Sequence, residues 1–216
     1  MVPVVAWLAL LPAASAGGVD LILPGALLDR STATALRPAE GRWMALLAEP
    51  AGVRLLATPL SMITADDPLD EGNDAVLFSA ELRGEPIAYL RGAGLPLGPV
   101  RTTVADPVWT SYEEPTILGE DSQGLTRLVT RAQGPEASRV ELLRTRTGAG
   151  RRQSLAEEAR GQPMVRWAGD LDADGAPDLL LDVDPGTGNE MRLYLSSAAA
   201  PGELMGLVGR FVIPGC

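Results

Sequence analysis

The chain has 216 residues, of which 46% are hydrophobic and only 4% aromatic, and it carries a formal net charge of −10. That length suits one large domain or two small ones, with a core built mostly from aliphatic side chains. All 18 basic residues are arginine and histidine is absent, which excludes Ser-His-Asp and Cys-His catalysis, His-ligated zinc, Schiff-base chemistry and a P-loop lysine. The acidic balance also argues against nucleic acid and anionic lipid as partners.

Residues 1–16 have the pattern of a secretory signal. Residues 4–11 form an apolar core containing Trp7, and Ala14-Ser15-Ala16 is a small-residue cleavage site. Beyond it no apolar run approaches the ~18 residues of a membrane-spanning helix. The expectation is an exported chain, secreted or periplasmic, with no transmembrane span in its mature form. The single cysteine, Cys216, has no internal partner for a disulfide.

Residues 19–25 read as a short strand stopped by Pro24-Gly25, and residues 26–40 as a loop or short helix. Residues 42–48 and 53–58 flank Glu49-Pro50-Ala51-Gly52, a turn signal that predicts a hairpin. Residues 60–64 extend the sheet. The acidic cluster within residues 66–74 lacks an alternating register and reads as a solvated loop. Residues 75–81 and 86–91 are strand candidates joined around Gly84. Residues 91–99 are rich in glycine, but Pro96 and Pro99 remove backbone donors and no Gly-Lys-Ser/Thr follows, so a phosphate loop is excluded.

A strand is expected at residues 100–104. Trp109 and Tyr112 read as packing residues or as the lining of a ligand groove. Glu113 and Glu114 are adjacent. On a strand they would point to opposite faces, which does not suit a pair flanking one glycosidic bond. Residues 125–132 and 138–145 predict a hairpin. Arg144, Arg146, Arg151 and Arg152 cluster around the exposed tip of a further one, and the alternative reading of that cluster is a site for an anionic partner. Residues 155–160 are a candidate for one helical turn, and residues 164–167 for a strand.

Residues 167–181 carry the strongest motif. Asp170, Asp172 and Asp174 alternate, so a tight loop can turn all three inward. Gly175 permits the sharp turn that follows. Ala176 can add its backbone carbonyl, and Asp178 can close the cage. Such an all-oxygen donor set suits Ca²⁺, which takes about 6–8 oxygens in forgiving geometry. The competing reading is an acidic turn without an ion. An EF-hand does not fit, because the twelfth position is Leu181 rather than a glutamate, and the apolar run at residues 179–181 suits a buried strand.

The segments 169–175 (Gly-Asp-Leu-Asp-Ala-Asp-Gly) and 178–180 (Asp-Leu-Leu) resemble the FG-GAP/VCBS type of repeat found in integrin-like propellers. The resemblance covers about 50 residues at most. It implies Ca²⁺ binding by Asp170, Asp172, Asp174, Asp178 and the backbone of Ala176, in a loop linking two strands. One copy is present, whereas a propeller needs about 4–8 blades, so the loop carries over and the propeller does not. After it, residues 179–183 read as a buried strand. Met191, Leu193 and Leu195 alternate with polar neighbours as in a half-buried strand, and residues 204–213 form the last strand.

The expected fold is all-β: an antiparallel sandwich or irregular barrel, with one blade-like unit at residues 163–216 following a β-rich region at residues 17–162. The expected function is that of a non-enzymatic calcium-binding module that contacts protein or glycan at the cell envelope. The alternative is a secreted carboxylate-dependent hydrolase, with Asp182, Asp184 or Glu190 as candidate groups.

Overall fold

The computed structural model describes residues 18–29, 33, 42–66, 74–92, 94–146, 149–185 and 188–214. The expected signal segment, most of the acidic loop at residues 66–74, and Cys216 lie outside the described residues. Within them the fold is an all-β antiparallel sandwich, and no helix is long and apolar enough to cross a membrane.

The strands are β1 (Asp20–Ile22), β2 (Leu27–Asp29), β3 (Met44–Glu49), β4 (Gly52–Ala57), β5 (Ser61–Asp66), β6 (Asp74–Ser79), β7 (Glu85–Arg91) and β8 (Gly98–Val104). They continue as β9 (Val108–Trp109), β10 (Thr116–Asp121), β11 (Gly124–Ala132), β12 (Ala137–Arg146), β13 (Ala149–Asp170), β14 (Asp178–Asp184), β15 (Gly188–Leu195) and β16 (Gly206–Pro214). A large sheet runs β1-β7-β3-β4-β8-β13-β12-β11-β10. β14 sits beside β13 and is followed by β15 and β16, and β9 also pairs with β13. A separate small sheet has the order β2-β6-β5.

Strand β13 joins the layers. Its 22 residues would span about 70 Å if straight, so it has to bend. Its first half pairs with β12 up to Arg160, and its second half pairs with β14 from Arg160 onward and with β8 at residues 168–170. The register breaks between Arg160 and Met164, where Gly161 adopts φ 61°. Such irregularities turn a strand sharply.

Two cores result. One gathers Leu21, Trp43, Leu46, Leu55, Phe78 and Leu90 from the N-terminal strands with Trp167, Leu180, Leu193 and Phe211. The other gathers Leu118, Leu128, Leu142 and Val165 with Leu179, Leu181, Val183 and Tyr194. Successive side chains of a strand point to opposite faces, so β14 sends Leu180 into the first core and Leu179 and Leu181 into the second. Burial on both faces explains its unbroken apolar run.

Several sequence expectations need correction. Residues 155–160 are not a helical turn but part of β13, paired with β12 through Ala156↔Val140 and Ala159↔Ser138. β5 does not extend the first hairpin but joins β6 in the small sheet. β6 and β7 belong to different sheets. Trp109 is not a packing residue, since it is 64% exposed. Arg144 is not at an exposed tip. It is turned inward, with Nε donating to Thr126 Oγ1 at 2.9 Å and Nη2 lying 3.4 Å from Asp121.

Candidate metal centre

Asp170 ends β13 and Asp178 begins β14, and residues 171–177 turn between them. Two left-handed residues make the turn, Ala173 at φ 61° and Gly175 at φ 92°. Glycine adopts this conformation freely. A left-handed alanine costs about 1–2 kcal/mol, so the surrounding bonds must hold it in place. The aspartates supply them. Gly175 N donates to Asp170 Oδ2 at 3.2 Å, Asp174 N to Asp172 Oδ1 at 3.3 Å, and Ala176 N to Asp174 Oδ1 at 2.8 Å.

Each of these three carboxylates thus spends one oxygen on the loop backbone. Asp170, Asp172 and Asp174 also offer ligand atoms that all lie within 4.8 Å of one another. Oxygens bound to one Ca²⁺ at about 2.3–2.6 Å stand no more than about 5.2 Å apart, so the three can share an ion. Asp170 Oδ1 is buried and has no hydrogen-bond partner. A buried carboxylate oxygen without a donor is costly, and a cation beside it would remove that cost. The donors are hard oxygens throughout, which favours Ca²⁺ over softer metals.

Asp178 is placed differently. It is fully buried, with Oδ2 accepting from Leu171 N at 2.7 Å and Oδ1 from Ser196 N at 2.8 Å. Burial raises its pKa to about 7. The two amides oppose that rise, and the charges of Asp172 and Asp174 add to it. The carboxylate therefore ties the start of the loop to the segment after β15. Ala176 lies in the same loop, anchored through its amide.

Sequence reasoning missed three contributors. Ser196 Oγ donates to Asp174 Oδ2 at 2.8 Å, and Ser197 Oγ donates to Asp172 Oδ2. Arg101, on β8, donates from Nη2 to Gly175 O at 2.6 Å and stands 3.6 Å from Asp170 Oδ2. These residues lie more than 20 positions from the aspartates they meet, and no local pattern marks them.

Of the carboxylates considered for hydrolysis, Asp182 and Glu190 do not form a pair. Asp182 is opposite Met191, and Glu190 is opposite Val183. Paired residues share a face, so Asp182 and Glu190 project from opposite faces of the β14–β15 sheet. Asp182 accepts from Arg166 at 3.0 Å, and Asp184 stands opposite Arg160 in the β13 register. Burial alone would raise the pKa of Glu190, but hydrogen bonds from Arg210 and Arg192 outweigh it and hold the group at about 2. At neutral pH it has no proton to donate. Glu113 and Glu114 sit in a bend, with both amides donating to Ser111 Oγ at 3.1 and 3.3 Å.

No family model, curated protein or solved structure matches the chain.

Proposed function

We propose that the chain is an exported calcium-stabilised β module. Ca²⁺ is held by Asp170, Asp172 and Asp174, with the Ala176 carbonyl and Asp178 completing the loop. The observation that carries this reading is the convergence of three carboxylates within 4.8 Å around a turn that also buries an unpartnered oxygen of Asp170. The likeness of residues 169–180 to the FG-GAP/VCBS loop supports the same assignment. In this reading the ion cancels the repulsion among the aspartates and locks β13, β14 and the segment after β15 together. The role is structural. The surface so fixed is presented to protein or glycan at the cell envelope, and the chain itself performs no catalysis.

Isothermal titration of chelator-stripped protein with CaCl₂ tests the assignment. The expected result is one ion per chain, with binding lost in Asp172→Ala. Absence of any saturable heat from a folded protein overturns it. The wider role is tested by a glycan array and by capture from envelope extract, each with and without Ca²⁺. A partner retained only with the ion is expected.

A further inference from the structure

A second polar site lies on β15 and β16 and does not depend on the calcium reading. On the face of β15 toward the second core stand Glu190, Arg192 and Tyr194. Their alternation with Met191, Leu193 and Leu195 suggests a solvent-facing side, but the first half of β13 covers it. Glu190 is 2% exposed. Its Oε1 accepts from Arg192 Nε and from Arg210 Nε, each at 2.6 Å. Arg192 and Arg210 are direct partners in the β15–β16 register. Like charges placed opposite each other destabilise a sheet, and among the described residues Glu190 is the carboxylate in contact with these two guanidiniums.

The pair borders a groove of ≈ 300 Å³ between β13 and β15–β16, at the small end of the range for ligand sites. Its walls are fixed. Arg192 Nη1 donates to Leu155 O at 2.9 Å, and the Tyr194 hydroxyl donates to the same carbonyl at 3.4 Å. Gln153 Nε2 donates to Met205 O at 2.7 Å, while its Oε1 accepts from Leu204 N at 2.6 Å and Met205 N at 2.9 Å. Glu203, also on the wall, spends Oε2 on Ala200 N at 3.1 Å. Arg210 is 55% exposed on its side chain. Among the described residues no protein hydrogen bond engages its terminal nitrogens. Glu190 thus aligns two guanidiniums through their Nε atoms and leaves donors for a further acceptor.

We propose that this groove binds a small oxyanion, a carboxylate or a sulfate or phosphate group, through Arg192 and Arg210. Guanidinium forks match the planar and tetrahedral oxyanions in two-point contacts. Arg192 is pinned by Glu190 and Leu155, so little of its freedom is lost on binding. Leu207, 41% exposed at the groove, offers an apolar contact for the carbon body that carries the anion.

The test is titration of the full chain in chelating-resin-treated buffer at constant ionic strength, balanced with chloride. The probes are sodium acetate, sodium glucuronate, sodium sulfate and inorganic phosphate. At least one probe is expected to bind with Kd below about 10 mM, which is weak but measurable affinity. Acetate or glucuronate alone identifies a carboxylate site, and sulfate or phosphate alone a tetrahedral one. Arg210→Gln should weaken binding fivefold or more. Leu207→Glu, which places a negative charge at the groove without touching the arginines, should do the same. Arg131→Gln removes an equal charge from the exposed ion pair with Glu141 and should change binding less than twofold. Saturation by no probe, a smaller loss in both groove variants, or an equal loss in Arg131→Gln overturns the proposal.

Discussion

Replacing Glu190 by glutamine should expose how much of the fold depends on one buried charge. Glu190 is 3% exposed on its side chain and meets two arginines through one oxygen. Its pKa falls from 4.5 to about 2, with burial opposing and the hydrogen bonds of Arg210 and Arg192 prevailing. At ~1.36 kcal/mol per unit this amounts to about 3 kcal/mol. Arg210 is half exposed and screened, so about 2 kcal/mol is the lower expectation. A folded pKa below the unfolded one stabilises fully above pH 4.5, and the contribution fades as pH falls toward 2. Urea denaturation of wild type and Glu190→Gln across this range is the assay. The variant should be less stable by about 2–3 kcal/mol at pH 7, and the gap should narrow between pH 4.5 and 2. A variant as stable as wild type at pH 7, or a gap independent of pH, refutes the reasoning.

Two further substitutions probe how the loop is anchored. A Cβ on Gly169 would overlap the carbonyl oxygen of Arg101 and come within 2.6 Å of Trp167 Cζ2, so Gly169→Ala should cost roughly 1–3 kcal/mol and lower Tm in calorimetry. Asp178→Ala removes both acceptors and leaves the N–H groups of Leu171 and Ser196 without their partner. A loss of about 1–3 kcal/mol is expected by chemical denaturation in calcium-free buffer.

The elements legible in the sequence were those with local causes. The β3–β4 hairpin follows from Glu49-Pro50-Ala51-Gly52, although the strands run further into that turn than expected and close at Glu49↔Gly52. The run Leu179-Leu180-Leu181 announces a strand because both its faces are covered. The aspartates converge because their spacing lies within one loop. What the sequence hid depends on distant partners. The separation of β6 from β7 into different sheets is decided by pairing with β2 and β3, and no local signal records it. The polar alternation of β15 reads as solvent exposure, yet Glu190 and Arg192 lie under β13 because they satisfy one another there. Residues 155–160 carry glutamates and alanines that favour a helix locally, but pairing with β12 overrides that preference. Ser196, Ser197 and Arg101 reach the acidic loop only through the fold.

The proposed Ca²⁺ site is formed by Asp170, Asp172 and Asp174. The most direct measurement is the melting temperature of the stripped protein with CaCl₂ and with excess EDTA, for wild type and Asp172→Ala. An ion at about ten times its Kd stabilises the folded state by roughly 1.4 kcal/mol, which for a chain of this size raises Tm by about 3–6 °C. That rise is expected in wild type, with its near disappearance in Asp172→Ala. An unchanged Tm in wild type across the calcium titration contradicts it.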